Sequence, residues 1–275
     1  MGQGDLVHLE TPLNPSGTAS DISAFAAAAH ARGALLSVDA TFAPPPLQDP
    51  FACGADYVLH SGTKYLGGHS DMLCGVLAVG TQRRSREEWE GAYWELVRER
   101  VFLGAVMGSL EGWLGVRSVR TLELRVVRQS RSAEAVVAWM ESLLRGEGDG
   151  ADGRGEIGLV VRSCVAELQH ASLQKDDIDN GNGWLAKQMP RGYGPVFGLM
   201  MKDSELAKRL PSKLRCFHHA TSLGGVESLI EWRRMSDESV DERLLRVSIG
   251  VEDVEDLKED FVQGFRALIE ERNKV

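Results

Sequence analysis

The chain has 275 residues, 43% of them hydrophobic, and a formal net charge of -9 at pH 7. Such a length supports a sizeable core, in one large domain or two of ordinary size. The acidic balance argues against nucleic acid or an anionic membrane surface as the main partner, since both are bound through basic patches.

No apolar run approaches the ~20 residues that cross a bilayer. The opening "MGQGDLVHLE" has no basic region followed by an apolar one, and Leu6 breaks a myristoylation signal. Four scattered cysteines, Cys53, Cys74, Cys164 and Cys216, form no CxxC pair. They are expected to be reduced thiols in a cytoplasmic protein.

In chain order, "DLVHLE" predicts a first short strand. "SDISAFAAAAHARG" predicts a helix capped by Ser20 or Asp21 and stopped at Gly33. "ALLSVDATF", "ADYVLHS" and "MLCGVLAVG" predict three further strands. Short apolar strands separated by helical segments indicate an α/β unit with a mainly parallel sheet.

The middle of the chain is helical. Val126, Ala133, Val136, Val137, Met140 and Leu144 recur at spacings of three, four and seven, a stripe that faces a core. "RGEGDGADGRGE", residues 145–156, is then expected to be a flexible surface loop. Beyond it a smaller α+β module is expected, with strands at "VFGLMM" and "LLRVSIG". Its last helix would be built on Val254, Leu257, Phe261, Phe265 and Leu268. The boundary is placed near residue 110, giving units of 1–110 and 111–275.

Four features fall where functional groups sit in α/β folds, at the carboxyl ends of strands. "ETPLNP" follows the first strand and contains Asn14; alone it reads as a proline-bounded turn. Asp39 closes the second strand, as a turn residue would, or as a fixed charge in a dry cleft. Ser61, Thr63 and Lys64 follow the third, with the two hydroxyls on one side of an extended segment. Ser222 and Arg246 come from "TSLGGVES" and "LLRVSIG"; alone, Arg246 reads as the solvent face of an alternating strand.

Singly, each bland reading is the stronger. Together these residues compose a known kind of site. A lysine able to form a Schiff base, an aspartate for a pyridinium nitrogen and hydroxyls for a phosphate are what a pyridoxal 5'-phosphate (PLP) site requires. A nucleotide-binding reading is disfavoured, because no GxGxxG or GxxxxGK[ST] follows a predicted strand. The pairs His60/His69 and His218/His219 lack metal-ligand spacing.

"ETPLNP", "SVDATFAPP", "HSGTKYLGGHSD", "TSLGGVESLIE" and "LLRVSIGVEDVEDL" together resemble the cystathionine gamma-synthase/gamma-lyase group of PLP-dependent fold type I enzymes. The resemblance runs from about Leu6 to near the C-terminus. It implies part of a PLP-binding large domain, followed by a smaller α+β domain. It also implies that Lys64 bears the Schiff base and shuttles protons while Asp39 pairs with the pyridinium nitrogen. Ser61 and Thr63 would bind the phosphate, and Asn14 and Thr41 would join the cofactor-binding set. Arg246, helped by Ser222, would hold the substrate α-carboxylate, a task that suits a guanidinium fork. Thr221 would lie near the substrate side chain.

The sequence departs from the family at several points. Ala40 replaces the Asn of VDNTF, Gly62 replaces the Ala of SATKY, and Thr221 stands where many synthases and lyases carry a glutamate. The family's Tyr-x-Arg arm, its Gly-Met turn and its ring-stacking tyrosine have no counterpart in this sequence. An exposed sheet edge and apolar face are therefore expected, favouring association. The expected activity is γ-replacement on an O-acylhomoserine by cysteine, with γ-elimination from cystathionine or a related amino acid as the alternative. The resemblance further implies a homo-oligomer, a dimer of dimers with shared sites. A reading of another class is a catalytically silent chain that acts only by association.

Overall fold

A computed structural model of the chain describes residues 1–147 and 155–274. Most of the loop expected over 145–156 lies outside the described residues.

The first half comprises β1 (Leu6–Glu10), α1 (Ile22–His30), β2 (Leu35–Asp39), β3 (Tyr57–Ser61) and β4 (Gly75–Val79). Asp21, not Ser20, caps α1 by accepting a hydrogen bond from the Ala24 amide at 3.1 Å. Gly33 follows with φ 72°, a left-handed turn that returns the chain into β2. The sheet order is β1-β2-β3-β4, with β1, β2 and β3 mutually parallel and β4 antiparallel to β3. The return arises because residues 62–74 fold back on themselves. Thr63 Oγ1 donates to the Cys74 carbonyl at 3.4 Å and accepts from the Cys74 amide at 3.1 Å.

Gly62 sits inside this reversal for a steric reason. A Cβ added there would lie 2.2 Å from Cys74 Sγ, so the thiol occupies the space of an alanine methyl.

Then come α2 (Arg86–Phe102), α3 (Ser109–Val119), α4 (Leu122–Arg145), α5 (Glu156–Cys164), β5 (Val165–Gln169), α6 (Lys175–Ile178) and α7 (Trp184–Gln188). The chain continues through β6 (Val196–Met201), α8 (Ser204–Arg209), β7 (Phe217–His219), β8 (Ser228–Trp232), β9 (Leu244–Ser248) and α9 (Val254–Arg272). Residue 110 falls in the first turn of α3. The second sheet has the order β5-β6-β9-β8-β7, antiparallel except for the β7/β8 pair.

Of the stripe on α4, Val126, Ala133, Val136, Val137 and Met140 are wholly covered, whereas Leu144 is partly buried and Leu143 takes the buried place beside it. Most of it packs with Phe197, Leu245, Phe261 and Phe265 between the second sheet and α9. Val126 instead joins Phe42, Tyr65, Val196 and Leu223 in a core shared by both halves. One helix thus fixes the two sheets against each other. His170 ties this junction: its ring bonds Ser172 Oγ at 2.8 Å and the Gly194 carbonyl at 3.0 Å.

The β4 side is different. No residue of α2 is buried. Trp94, Phe102, Leu103, Leu110 and Trp113 are exposed along α2, α3 and their connection, next to exposed Leu77 of β4.

Two outcomes are expected. Burial holds the His170 pKa down at about 4 from an ordinary 6.5, so the folded state keeps the ring neutral. Between those values the unfolded chain binds the extra proton, so stability should fall as pH drops from about 6.5 to 4, by on the order of 3 kcal/mol. Urea unfolding across that range should show this slope, and His170→Gln should flatten it. Gly62→Ala should cost about 1–3 kcal/mol through overpacking, and adding Cys74→Ala should recover most of that loss in the same assay.

Candidate functional site

The parallel register brings three strand ends together. Glu10 pairs with Asp39 across β1/β2, and Asp39 with Leu59 across β2/β3. Thr41 then locks the two later ends in place. Its amide donates to Asp39 Oδ1 at 2.9 Å, while its Oγ1 accepts from the Ser61 amide at 2.8 Å. One Asp39 oxygen is thereby fixed, which leaves the second to face a partner. Glu10, half-buried beside it, has its pKa raised first by burial and then by the Asp39 charge.

Lys64 stands on a tight turn after β3. Its amide donates to the Ser61 carbonyl at 3.1 Å, and its carbonyl accepts from the Gly68 amide at 2.6 Å. Arg125 of α4 holds the next residue, donating from Nη1 to the Tyr65 carbonyl at 2.8 Å. Buried Arg125 has no carboxylate partner among the described residues; its other donations go to the Ser118 carbonyl and Thr121 Oγ1.

The Lys64 amine is half-buried and donates to Ser222 Oγ at 3.2 Å. No carboxylate pairs with it among the described residues. Its pKa is lowered, chiefly by burial and then by the Arg246 charge, with Glu231 opposing. Ser222 reaches the amine because Gly224, at φ 82°, lets its loop lie against the lysine turn. A Cβ at Gly224 would stand 2.9 Å from the Tyr65 nitrogen and 3.1 Å from Lys64 Cβ.

Arg246 is 4% exposed, so the solvent-face reading of its strand is corrected. All of β9 is buried, since the loop before β8 and the segment after β1 cover the face that carries Arg246. Its Nη1 donates to Asn14 Oδ1 at 3.2 Å. Its Nη2 donates to the Thr221 carbonyl at 2.5 Å and the Ser222 carbonyl at 3.1 Å, and it forms an ion pair with Glu231 Oε2 at 2.6 Å.

The fold thus places Lys64, Ser222, Thr221, Arg246 and Asn14 in one connected set, with Asp39, Thr41 and Ser61 at the adjoining strand ends. Thr63 is engaged by Cys74, whereas the Ser61 hydroxyl has no partner among the described residues. Sequence reasoning did not single out Glu231 or Arg125. The signal for Glu231 is its place opposite Arg246 in the β8/β9 register, which appears only once the strands are paired. Arg125 carries no signal that sets it apart from its many charged neighbours on α4.

Comparison with known proteins identifies the family. Residues 2–266 match the family described as Cys/Met metabolism PLP-dependent enzyme. Cystathionine gamma-synthase of Mycobacterium tuberculosis is 36% identical over 272 residues, which cover 94% of this chain and 61% of that protein. Cystathionine beta-lyase of Lactococcus lactis is 33% identical, covering 94% of this chain and 63% of that protein. The crystal structure of an apo methionine gamma lyase from Micromonospora echinospora superposes with a TM-score of 0.78 at 30% identity, covering 95% of this chain and 65% of that one. The chain therefore spans less than two thirds of the length of each. This chain belongs to the Cys/Met metabolism family of PLP-dependent enzymes.

Proposed function

We propose that the protein uses PLP at Lys64 for trans-sulfuration, in the manner of a cystathionine gamma-synthase: γ-replacement on an O-acylhomoserine by cysteine. The observation that carries this reading is the Lys64 amine itself. It is half-buried, is approached by a hydroxyl and a guanidinium, and has no paired carboxylate among the described residues to hold it charged. Division of the chain near residue 110 into part of a PLP-binding unit and a long helix with a small α+β unit is part of the proposal.

The donor set fits the cofactor. Lys64 would attach it through Nζ. The Asp39 oxygen not used by Thr41 would face the ring nitrogen, and the free Ser61 hydroxyl would donate to the phosphate. Thr63 would contribute its remaining lone-pair side, its hydrogen being held by Cys74. Asn14 would lie at the ring edge, fixed there by Arg246. When bound, the cofactor supplies an electron-withdrawing ring that stabilises negative charge at the substrate Cα.

The remaining tasks belong to the side chains. Arg246 and Ser222 would receive the substrate carboxylate, which orients the Cα hydrogen towards Lys64. Lys64 Nζ would take that proton and then serve at Cβ as the γ-substituent leaves. Burial lowers its pKa, so the neutral amine forms at a lower pH than on an ordinary lysine. Thr221, exposed at the loop edge, would face the substrate side chain.

Elimination from cystathionine is the second reading, supported by the lyase names among the similar proteins. The exposed apolar surface of α2 and α3 supports a homo-oligomer.

Purified protein mixed with PLP should develop a yellow band that borohydride discharges, leaving a mass increment on the Lys64 peptide. Lys64→Ala should abolish both. The rate of adduct formation should rise with pH and level off below the range of free lysine. A folded sample without the adduct would favour the association-only reading. With the adduct in hand, O-acylhomoserine plus cysteine should outpace cystathionine alone. Light scattering across a dilution series should show a mass above that of one chain.

A further inference from the structure

Arg246 does not meet the site with a free fork. Its Nη2 donates to the carbonyls of Thr221 and Ser222 and forms an ion pair with Glu231 Oε2 at 2.6 Å. Only Nε and the second Nη1 hydrogen have no partner among the described residues. An incoming carboxylate therefore meets a guanidinium already anchored along its Nη2 edge.

The anchor is itself fully engaged. Glu231 is 1% exposed, and its Oε2 also accepts from Arg233 Nη1 at 2.9 Å. Its Oε1 accepts from the Ser236 hydroxyl. With both oxygens committed, Glu231 cannot itself reach a substrate. The two arginines and one glutamate leave a single positive charge, which matches one carboxylate. A buried guanidinium deprived of its carboxylate partner would keep only its neutral acceptors, and its charge would go uncompensated.

We propose that Glu231 is a positioning residue: it holds Arg246 at Nη2, so that the Nη1 hydrogen not engaged by Asn14 receives the carboxylate of the amino-acid substrate. The proposal rests on the reading of Arg246 as carboxylate receptor and adds how that receptor is set. Ser236 acts one step further out, by holding Glu231 Oε1.

The probe is L-alanine, which offers the α-carboxylate and amine without a leaving group, titrated calorimetrically into PLP-loaded protein. Glu231→Gln should weaken alanine binding about tenfold or more, and Ser236→Ala by a few fold. Arg246→Gln should weaken it at least as much as Glu231→Gln. A second readout needs no cofactor: reductive methylation of Lys64 by formaldehyde and cyanoborohydride, followed by peptide mass spectrometry. Glu231 favours the charged Lys64 amine and Arg246 disfavours it. Methylation at neutral pH should therefore quicken in Glu231→Gln and slow in Arg246→Gln, opposite signs that a general loosening of the fold would not give.

Alanine binding within twofold of the parent in folded Glu231→Gln, alongside a large loss in Arg246→Gln, overturns the positioning role alone. Unchanged binding in both overturns the carboxylate-receptor reading and this proposal with it. If Glu231→Gln fails to fold, unchanged binding in Ser236→Ala overturns the proposal.

Discussion

The structure depends on one close approach, that of the Gly224 loop to the turn carrying Lys64. The two sheets meet there backbone against backbone, with no room for a Cβ. Everything chemical follows from that distance. Ser222 reaches the amine only because the glycine beside it lets the loop in, and Arg246 reaches the same loop through the carbonyls of Thr221 and Ser222. Helix α4 maintains the approach from behind. Gln129 donates to the carbonyls of Gly225 and Ile249, and Arg125 to that of Tyr65. Two buried side chains on one helix thus hold both sides of the cleft.

Charge in the cleft is arranged in opposed pairs. At the strand ends Glu10 and Asp39 stand in register, and burial, followed by the Asp39 charge, raises the Glu10 pKa. Across the cleft Arg246 depresses the Lys64 pKa while Glu231 restrains that effect. A lysine in this setting is neither a surface ammonium nor a salt-bridge partner. Its amine is kept available by burial and by a neighbouring cation, an environment in which lysines act as nucleophiles and bases.

Much of this was legible in the sequence. The four strands of the first half, the stripe on α4 and the last helix are local patterns, and local patterns survive into the fold. Asp39, Ser61 and Lys64 were legible because strand ends are where such residues gather. The reversal of β4 was not, because it depends on Thr63 and Cys74 finding each other across a loop. Nor was the burial of Arg246, whose alternating neighbours imply an open face; the cover comes from residues far away in the chain, Asn14 and Thr221. Glu231 shows the same limit, since its meaning is a register between two strands. Sequence pattern reports which face a residue takes, and packing decides what lies on that face.

The thiol of Cys74 filling the space beside Gly62 ties two positions into one unit of variation. A chain that acquires alanine at 62 gains its methyl at the expense of the sulfur, and a chain that shrinks residue 74 opens room for that methyl. Neither change is neutral alone, whereas together they exchange one filling of the same volume for another. Gly62, one place before Thr63 and two before Lys64 in the turn, is thus sterically coupled to Cys74, and the order in which the two change decides whether an intermediate sequence keeps the lysine in place.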